Sequence, residues 1–288
     1  MEAIGLIGVG LLGTALAARL ARAGFEVHGY DPDPAAGARL AALGAAAEPA
    51  AEDVVRRCRR VLFSLPGPAQ VRDAIAAIEA SLVPGSMILD TTTGDPADVE
   101  SHAASFAARG IHYLDCEIGG SSKQTAAGEA IVICGGSAEA YAAAHDLLAA
   151  IGAKIFHTGA PGTGTRMKLA LNIAIGLHRA VMAESLAFAE KNGIEAERAL
   201  EILKAGPAYS RAMDVKGVKM LTRDYTPEAR IAQHLKDVRL ILETGGGVGA
   251  RLPLSALHRQ LLEEAVERGF ASLDNSSVIE LFRNSDTA

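Results

Sequence analysis

Lys168 and Asn172 are the residues whose types and spacing first suggest chemistry. They lie in Gly162-Thr163-Gly164-Thr165-Arg166-Met167-Lys168-Leu169-Ala170-Leu171-Asn172, directly after a glycine-rich joint. On a helix, positions i and i+4 share one face with Cβ atoms roughly 5–6 Å apart. An amine and an amide projecting together can act on a hydroxyl or a carbonyl, the amine moving a proton and the amide fixing the oxygen. The pair alone fits an exposed lysine and a polar spot on a surface helix equally well. The N-terminus bears on the choice between the two readings.

That N-terminus reads Ala3-Ile4-Gly5-Leu6-Ile7-Gly8-Val9-Gly10-Leu11-Leu12-Gly13. A short apolar strand runs into a Gly8-x-Gly10-x-x-Gly13 turn. A helical pattern of Leu12, Leu16 and Leu20 follows, and a second strand, Phe25 to Tyr30, stops at Asp31. Strand, glycine turn, helix, strand and acidic residue form the context that the dinucleotide fingerprint requires. Gly8 allows the tight turn, Gly10 lets backbone approach a pyrophosphate, and Gly13 lets helix pack on strand. Gly8, Val9, Gly10, Leu11, Leu12 and Gly13 are thus expected to face the phosphates, with the amides and positive dipole end of the helix turned toward them. A carboxylate at Asp31 accepts hydrogen bonds from ribose hydroxyls and repels a 2′-phosphate. Residues 31–34, Asp-Pro-Asp-Pro, offer two acids and no base. NAD is therefore expected over NADP, although Asp31 also suits a plain turn before Pro32.

The elements around these residues divide the chain in two. Through residue 161, strands alternate with helices: strands at 61–65, 86–90, 111–115, 130–134 and 154–157, helices at 69–82, 96–109 and 141–151. That alternation predicts an α/β fold, an N-terminal Rossmann-type doubly wound parallel sheet. In such sheets ligands lie outside the carboxyl ends of the strands, which marks segments 8–13, 31–34, 65–68, 91–94 and 116–123. From 162 to 288 strand signals cease. A long helical pattern from Met167 to Asn192 leads into helices near 195–205, 208–221, 228–244, 253–267 and 275–283, with Gly245-Gly246-Gly247 breaking the fourth. A long, mostly apolar helix in a small all-α domain is expected to pack against both its own domain and a second subunit, as a homodimer or homotetramer.

Composition sets outer bounds. The chain has 288 residues, 49% hydrophobic, with a net charge of −6. A substantial core is affordable, and no basic footprint for nucleic acid or an anionic membrane is present. No run of 18 apolar residues occurs, so no bilayer span is expected. The first strand begins at Ala3, leaving no room for a signal peptide. Cys58, Cys116 and Cys134 are odd in number and apart in sequence. They suggest neither a disulfide framework nor a metal site, and they fit reduced thiols in a cytoplasm.

With these motifs assembled, the sequence resembles the β-hydroxyacid dehydrogenase family, which includes the 3-hydroxyisobutyrate dehydrogenases. The resemblance covers nearly the whole chain. It is carried by Gly8 to Gly13, Leu65-Pro66 followed by Val71, Asp90-Thr91-Thr92-Thr93, Tyr113-Leu114-Asp115 through Gly120, Gly128 through Gly136, Gly162-x-Gly164 with Lys168 and Asn172, Lys236-Asp237, and Gly269 with Asp274 and Ser276-Ser277. It implies an oxidoreductase moving hydride between NAD and a small anionic 3-hydroxyacid or its semialdehyde. Lys168 would be the acid–base lysine, its pKa lowered by burial, and Asn172 the orienting amide. Leu65, Pro66, Val71, Thr93 and Lys236 would contact the cofactor, Thr93 beside the nicotinamide.

Two positions depart from the family pattern. Asp-x-Pro-Val-Ser-Gly-Gly is usual where this chain reads Asp115-Cys116-Glu117-Ile118-Gly119-Gly120-Ser121. The customary hydroxyl is missing at Gly119 and appears at Ser121, with Lys123 beyond it, and Glu117 replaces proline. Backbone amides of 119–121 are still expected to cradle a carboxylate. Gly119, Gly120, Ser121 and Lys123 are therefore the candidate substrate contacts. Leu171, where asparagine is common, lies off the Lys168 face. Three alternatives compete: an imine reductase-like enzyme, which typically lacks this lysine; 6-phosphogluconate dehydrogenase, whose helical domain is far longer; and a non-catalytic NAD-binding module, which could dispense with Lys168, Asn172 and Thr93 together.

Overall fold

A computed structural model describes residues 1–283. The described residues divide into two compact units, Met1–Lys168 and those from Leu169 onward. The division falls inside one helix, a few residues past the joint at 161–162.

The first unit is built on an eight-stranded sheet. Its strands are β1 (Ala3–Ile7), β2 (Glu26–Tyr30), β3 (Ala46–Ala47), β4 (Arg60–Phe63), β5 (Met87–Asp90), β6 (His112–Gly119), β7 (Ile131–Gly135) and β8 (Lys154–Gly159). They lie in the order β3-β2-β1-β4-β5-β6-β7-β8. The chain leaves β1 toward one edge and returns to its other side at β4, so the switch point of a doubly wound sheet lies at the carboxyl end of β1. Alternation along β1 shows why both faces are covered. Ile4 and Leu6 join the core that includes Leu16, Leu20, Leu147 and Leu148, whereas Ile7 joins Val54, Phe63, Ile78 and Phe106 on the opposite face. Strands buried on both faces read as continuous apolar runs, as these do.

The connecting helices are α1 (Leu11–Arg22), α2 (Ala35–Ala41), α3 (Ala51–Arg57), α4 (Pro68–Ile78), α5 (Pro96–Ala107), α6 (Ser122–Ala127) and α7 (Ala138–Ile151). Two features correct the sequence reading. The sheet is not wholly parallel, because β6 and β7 pair antiparallel through a hairpin that contains α6. The cysteines are not all apart, since register places Cys116 opposite Cys134 with their sulfurs 3.3 Å from each other. Both are free thiols in the core. Burial pushes the Cys116 thiol well up, which keeps it protonated and unreactive.

The long helix α8 (Thr163–Lys191) starts in the first unit and runs into the second. The second unit continues with α9 (Ala196–Ala205), α10 (Arg211–Thr222), α11 (Ile231–Gly247), α12 (Pro253–Glu267), a short 3₁₀ turn (Asn275–Val278) and α13 (Ile279–Arg283). Its core includes Met182, Leu186, Met220, Ile231, Val238 and Leu262. The glycine triplet does not break α11 but forms its last turn. By length and composition α8 could cross a membrane, contrary to the expectation that no segment could. Its Met182, Ala183 and Leu186 are instead fully buried in the core of its own unit.

Candidate active site

The glycine turn of the first unit is shaped for a dinucleotide. Gly8 has a φ of +95°, and a Cβ there would stand 2.2 Å from the Ser64 carbonyl oxygen. A Cβ at Gly13 would stand 2.0 Å from the Gly8 carbonyl oxygen. Both positions therefore exclude any side chain. Gly10 has open space beside it, the room a pyrophosphate needs. The first turn of α1 carries no acidic residue, and its leading amides have no intrahelical acceptor. Leu11 is exposed and Val9 fully buried.

Asp31 sits at the end of β2 with its carboxylate fixed by two backbone donors, Val9 N–H at 2.7 Å and Asp33 N–H at 2.8 Å. It is thereby locked against the glycine turn. One residue escaped sequence reasoning here. Arg39, on α2, donates to the Val9 carbonyl at 3.0 Å and to Asp33 at 2.8 Å. A base therefore does reach this loop, from outside the 31–34 window. Its i+8 distance from Asp31 in sequence gave no signal without α2 in place.

The carboxyl ends of β4, β5 and β6 make a polar corner. The Leu65 amide donates to the Thr92 hydroxyl at 3.1 Å, and the Thr91 hydroxyl donates to the Phe63 carbonyl at 2.7 Å. Asp90 accepts from the Thr92 amide and from the Tyr113 hydroxyl at 2.6 Å. Burial pushes its carboxyl up to about 6, against the pull of those hydrogen bonds. Pro66 is exposed, whereas Val71 is buried in the core beneath. The Thr93 hydroxyl donates to Glu117 Oε2 at 2.7 Å. Glu117 is fully buried, and burial pushes its carboxyl up to about 8 even though the Lys168 ammonium and Thr93 lower it.

Asp115 joins this corner to the start of α8. Its carboxylate accepts from the Gly162 amide at 3.0 Å and the Thr165 amide at 2.8 Å. A negative charge among the leading amides of a helix is well placed. It orients the first turn of α8, and one turn later Lys168 Nζ donates to the Ile118 carbonyl at 2.6 Å. The lysine is therefore half-buried and held at the end of β6 rather than loose on a surface.

The loop after β6 differs from expectation in one respect. Ser121 caps α6, a helix the sequence reading lacked, through a capping box. Its Oγ accepts from the Gln124 amide at 3.2 Å, and its own amide donates to Gln124 Oε1 at 2.9 Å. The amide of residue 121 is thus already engaged, which removes it from the expected cradle. The capping hydroxyl still carries a hydrogen that can be donated. Gly119 is the last residue of β6, opposite Ile131, and Lys123 is exposed in the first turn of α6.

In the second unit Asn172 lies one turn along α8 from Lys168 and is buried. Its Nδ2 donates to Asp237 at 3.3 Å, and Lys236 stands 3.5 Å from the same carboxylate. Asn172, Gly176 and Arg179 continue one polar face. A Cβ at Gly176 would meet His234 and His258 at 2.5 and 2.6 Å, so only glycine lets these histidines approach the helix. Arg179 is buried, and burial lowers its guanidinium to about 10 against the opposing charges of Asp274 and Asp237. These partners carry no local spacing signal, because helices far apart in sequence bring them together.

Comparison with known proteins agrees with this geometry. Residues 3–159 match the NAD-binding domain of 6-phosphogluconate dehydrogenase, and residues 162–282 match the "NAD-binding of NADP-dependent 3-hydroxyisobutyrate dehydrogenase" model. An L-threonate dehydrogenase of Cupriavidus necator is 31% identical, over 97% of this chain and 95% of its own length. A 2-hydroxy-3-oxopropionate reductase of Escherichia coli is 29% identical over 96% of both. A solved 3-hydroxyisobutyrate dehydrogenase of Salmonella typhimurium superposes with a TM-score of 0.90 at 26% identity, covering 98% of this chain and 100% of that one. The glycine turn, the lysine with its asparagine, and matches across both halves place the chain in the 3-hydroxyisobutyrate dehydrogenase-like family of NAD(P)-dependent β-hydroxyacid dehydrogenases.

Proposed function

We propose that the chain is an NAD-preferring dehydrogenase of small, polar 3-hydroxyacids or the corresponding semialdehydes, with Lys168 as general acid–base. The observation that carries this reading is Lys168 itself, anchored by its Nζ on the Ile118 carbonyl and one helical turn from Asn172. The bound nicotinamide supplies the hydride acceptor or donor. During oxidation Lys168 takes the proton of the substrate hydroxyl, and during reduction it returns a proton to the carbonyl oxygen. Asn172, steadied by Asp237, holds that oxygen. Gly8, Gly10 and Gly13 bring backbone to the pyrophosphate, and Asp31 receives the ribose hydroxyls. Ser121 donates its hydroxyl hydrogen to the acidic group of the substrate, and Lys123 favours a further polar or negative substituent. The protein acts in the cytoplasm as a homo-oligomer.

The reading is tested by absorbance at 340 nm with NAD or NADP and a panel of hydroxyacids, threonate and 3-hydroxyisobutyrate among them. Lys168→Ala should lower kcat by about 10²–10⁴-fold, the usual contribution of a positioned acid–base group. NAD affinity should hardly change, because the glycine turn lies elsewhere. Full activity in that variant sinks the assignment, and so does a loss traced wholly to unfolding.

A further inference from the structure

Glu117 lies inside β6 and is completely enclosed. The family pattern has proline at this position, a side chain with no acceptor. Burying a carboxyl in a strand is costly unless it is hydrogen-bonded. Among the described residues the Glu117 carboxyl makes one hydrogen bond, accepting the Thr93 hydroxyl on Oε2 at 2.7 Å. Its Oε1 is enclosed without a partner, and Ile133 is its opposite number across β7. Holding the Thr93 hydroxyl is therefore what this acid does in the fold.

Thr93 stands where the second half of a dinucleotide runs. Asp31 follows β2 on one side of β1, and Thr93 follows β5 on the other side, in the order β2-β1-β4-β5. The glycine turn at the carboxyl end of β1 lies between them. With the pyrophosphate on that turn and the adenosine ribose at Asp31, the nicotinamide half extends toward β4 and β5. Two strand spacings separate β1 from β5, roughly 10 Å. Thr91 and Thr92 are buried, whereas Thr93 is only half-buried, so its oxygen can meet a ligand.

A hydroxyl has one hydrogen to donate and two lone pairs to offer. Glu117 takes the hydrogen. On its open side Thr93 is left as an acceptor, which suits an N–H and disfavours a carbonyl. The carboxamide of a nicotinamide ring carries one of each, an amine and a carbonyl, so the state of the Thr93 hydroxyl selects between its two orientations.

We propose that Glu117 is a positioning residue for the nicotinamide end of the cofactor: by taking the Thr93 hydrogen it leaves the Thr93 oxygen as acceptor for the carboxamide amine. It acts through Thr93 and does not itself touch the cofactor. This deepens the dehydrogenase reading and rests on its NAD site. With an apolar residue at 117 the Thr93 hydroxyl turns freely and accepts either end of the carboxamide.

The test compares NAD with its 3-acetylpyridine analogue, in which a methyl ketone replaces the carboxamide and no N–H is present. Dissociation constants from titration calorimetry need no turnover. They are measured at pH 9, because burial pushes the Glu117 carboxyl up to about 8 and above that it accepts. The native protein should bind NAD more tightly than the analogue. Glu117→Leu should narrow that ratio by about tenfold, chiefly by tightening the analogue, whose carbonyl can then accept the released Thr93 hydrogen. Thr93→Val should narrow it as well, and the double variant should go no further than either single one, since both act on one contact. A packing role for Glu117 would weaken both dinucleotides alike, and an unchanged ratio in Glu117→Leu overturns the proposal. Should that variant fail to fold, Glu117→Met serves in its place. Thr93→Val decides without touching residue 117, because an unchanged ratio there removes Thr93 from the nicotinamide and the proposal with it. A ratio that follows Glu117 without turnover of any hydroxyacid or semialdehyde upholds the proposal and sinks only the reaction assignment.

Discussion

Asp31 and Arg39 meet at the same loop with opposite charges, and in the NAD-preferring reading proposed above the balance between them would set which dinucleotide is accepted. The Asp31 carboxylate is pinned by two amides and repels a 2′-phosphate. The Arg39 guanidinium could neutralise such a phosphate, but Asp33 and the Val9 carbonyl engage it. Accepting NADP therefore means breaking the Arg39–Asp33 pair and placing a phosphate against a carboxylate. kcat/KM for NAD should exceed that for NADP, and Asp31→Ala should narrow the gap. Equal or better use of NADP by the native protein would show that Arg39 outweighs Asp31. At this scale the sequence yielded Asp31 but not Arg39, because only α2 turns the arginine back onto the glycine loop. Glu117 was visible as a departure from the family pattern. Its burial was not, because the strand reading stopped at Asp115 and β6 runs on to Gly119.

Elements decide how much the Ser121 hydroxyl can do. It was read as a substrate contact, and the structure makes it the cap of α6. Six residues without a clear apolar period give no helix signal, which is why α6 was missed. The proposed substrate contact is separable from the cap, since capping uses the oxygen as acceptor and the contact would use the hydrogen. Ser121→Ala should cost about 0.5–2 kcal/mol of stability through the lost cap, read by denaturant unfolding. It should also lower the preference for a polar 3-hydroxyacid over plain 3-hydroxyisobutyrate by about ten- to a hundredfold, as a lost donor in a polar site does. Loss of stability with unchanged selectivity would leave Ser121 as a cap only. The 269–277 tail likewise proves to have structural work. Asp274 accepts from Lys216 at 2.9 Å and from the amides of Glu228, Ala229 and Ser276, so it ties α10 to the segment before α13. The glycine turn and the α8 pair were legible because their spacing is local. The Asp115 tie to α8 and the Asn172–Asp237 contact were not, because they join residues tens of positions apart.

For the whole molecule, alternation of strands and helices followed by helices alone was enough to give a doubly wound α/β part and an all-helical part, and burial on both faces of β1 agrees with it. The exposed side of α8 was legible only in part. Its inner face, Met182, Ala183 and Leu186, is consumed by the core of the helical unit. Its outer face carries Val181 at 58% and Phe188 at 70% exposure, with Ala174, His178 and Ser185 also outward at helical spacing. An aromatic ring and a valine lying two turns apart, with His178 and the small Ala174 and Ser185 beside them, form a surface that gains from being covered, and in the homo-oligomer proposed above a second copy of α8, related by a two-fold axis, would cover it. Light scattering coupled to size exclusion should therefore give a mass two or four times the 29.8 kDa of one chain. Phe188→Glu places a charge where the two copies would meet and should shift the protein toward monomer, with its circular dichroism unchanged because the residue faces outward. A native mass of a single chain would remove the homo-oligomer. An oligomer indifferent to Phe188→Glu would move the interface to another face of the helical unit.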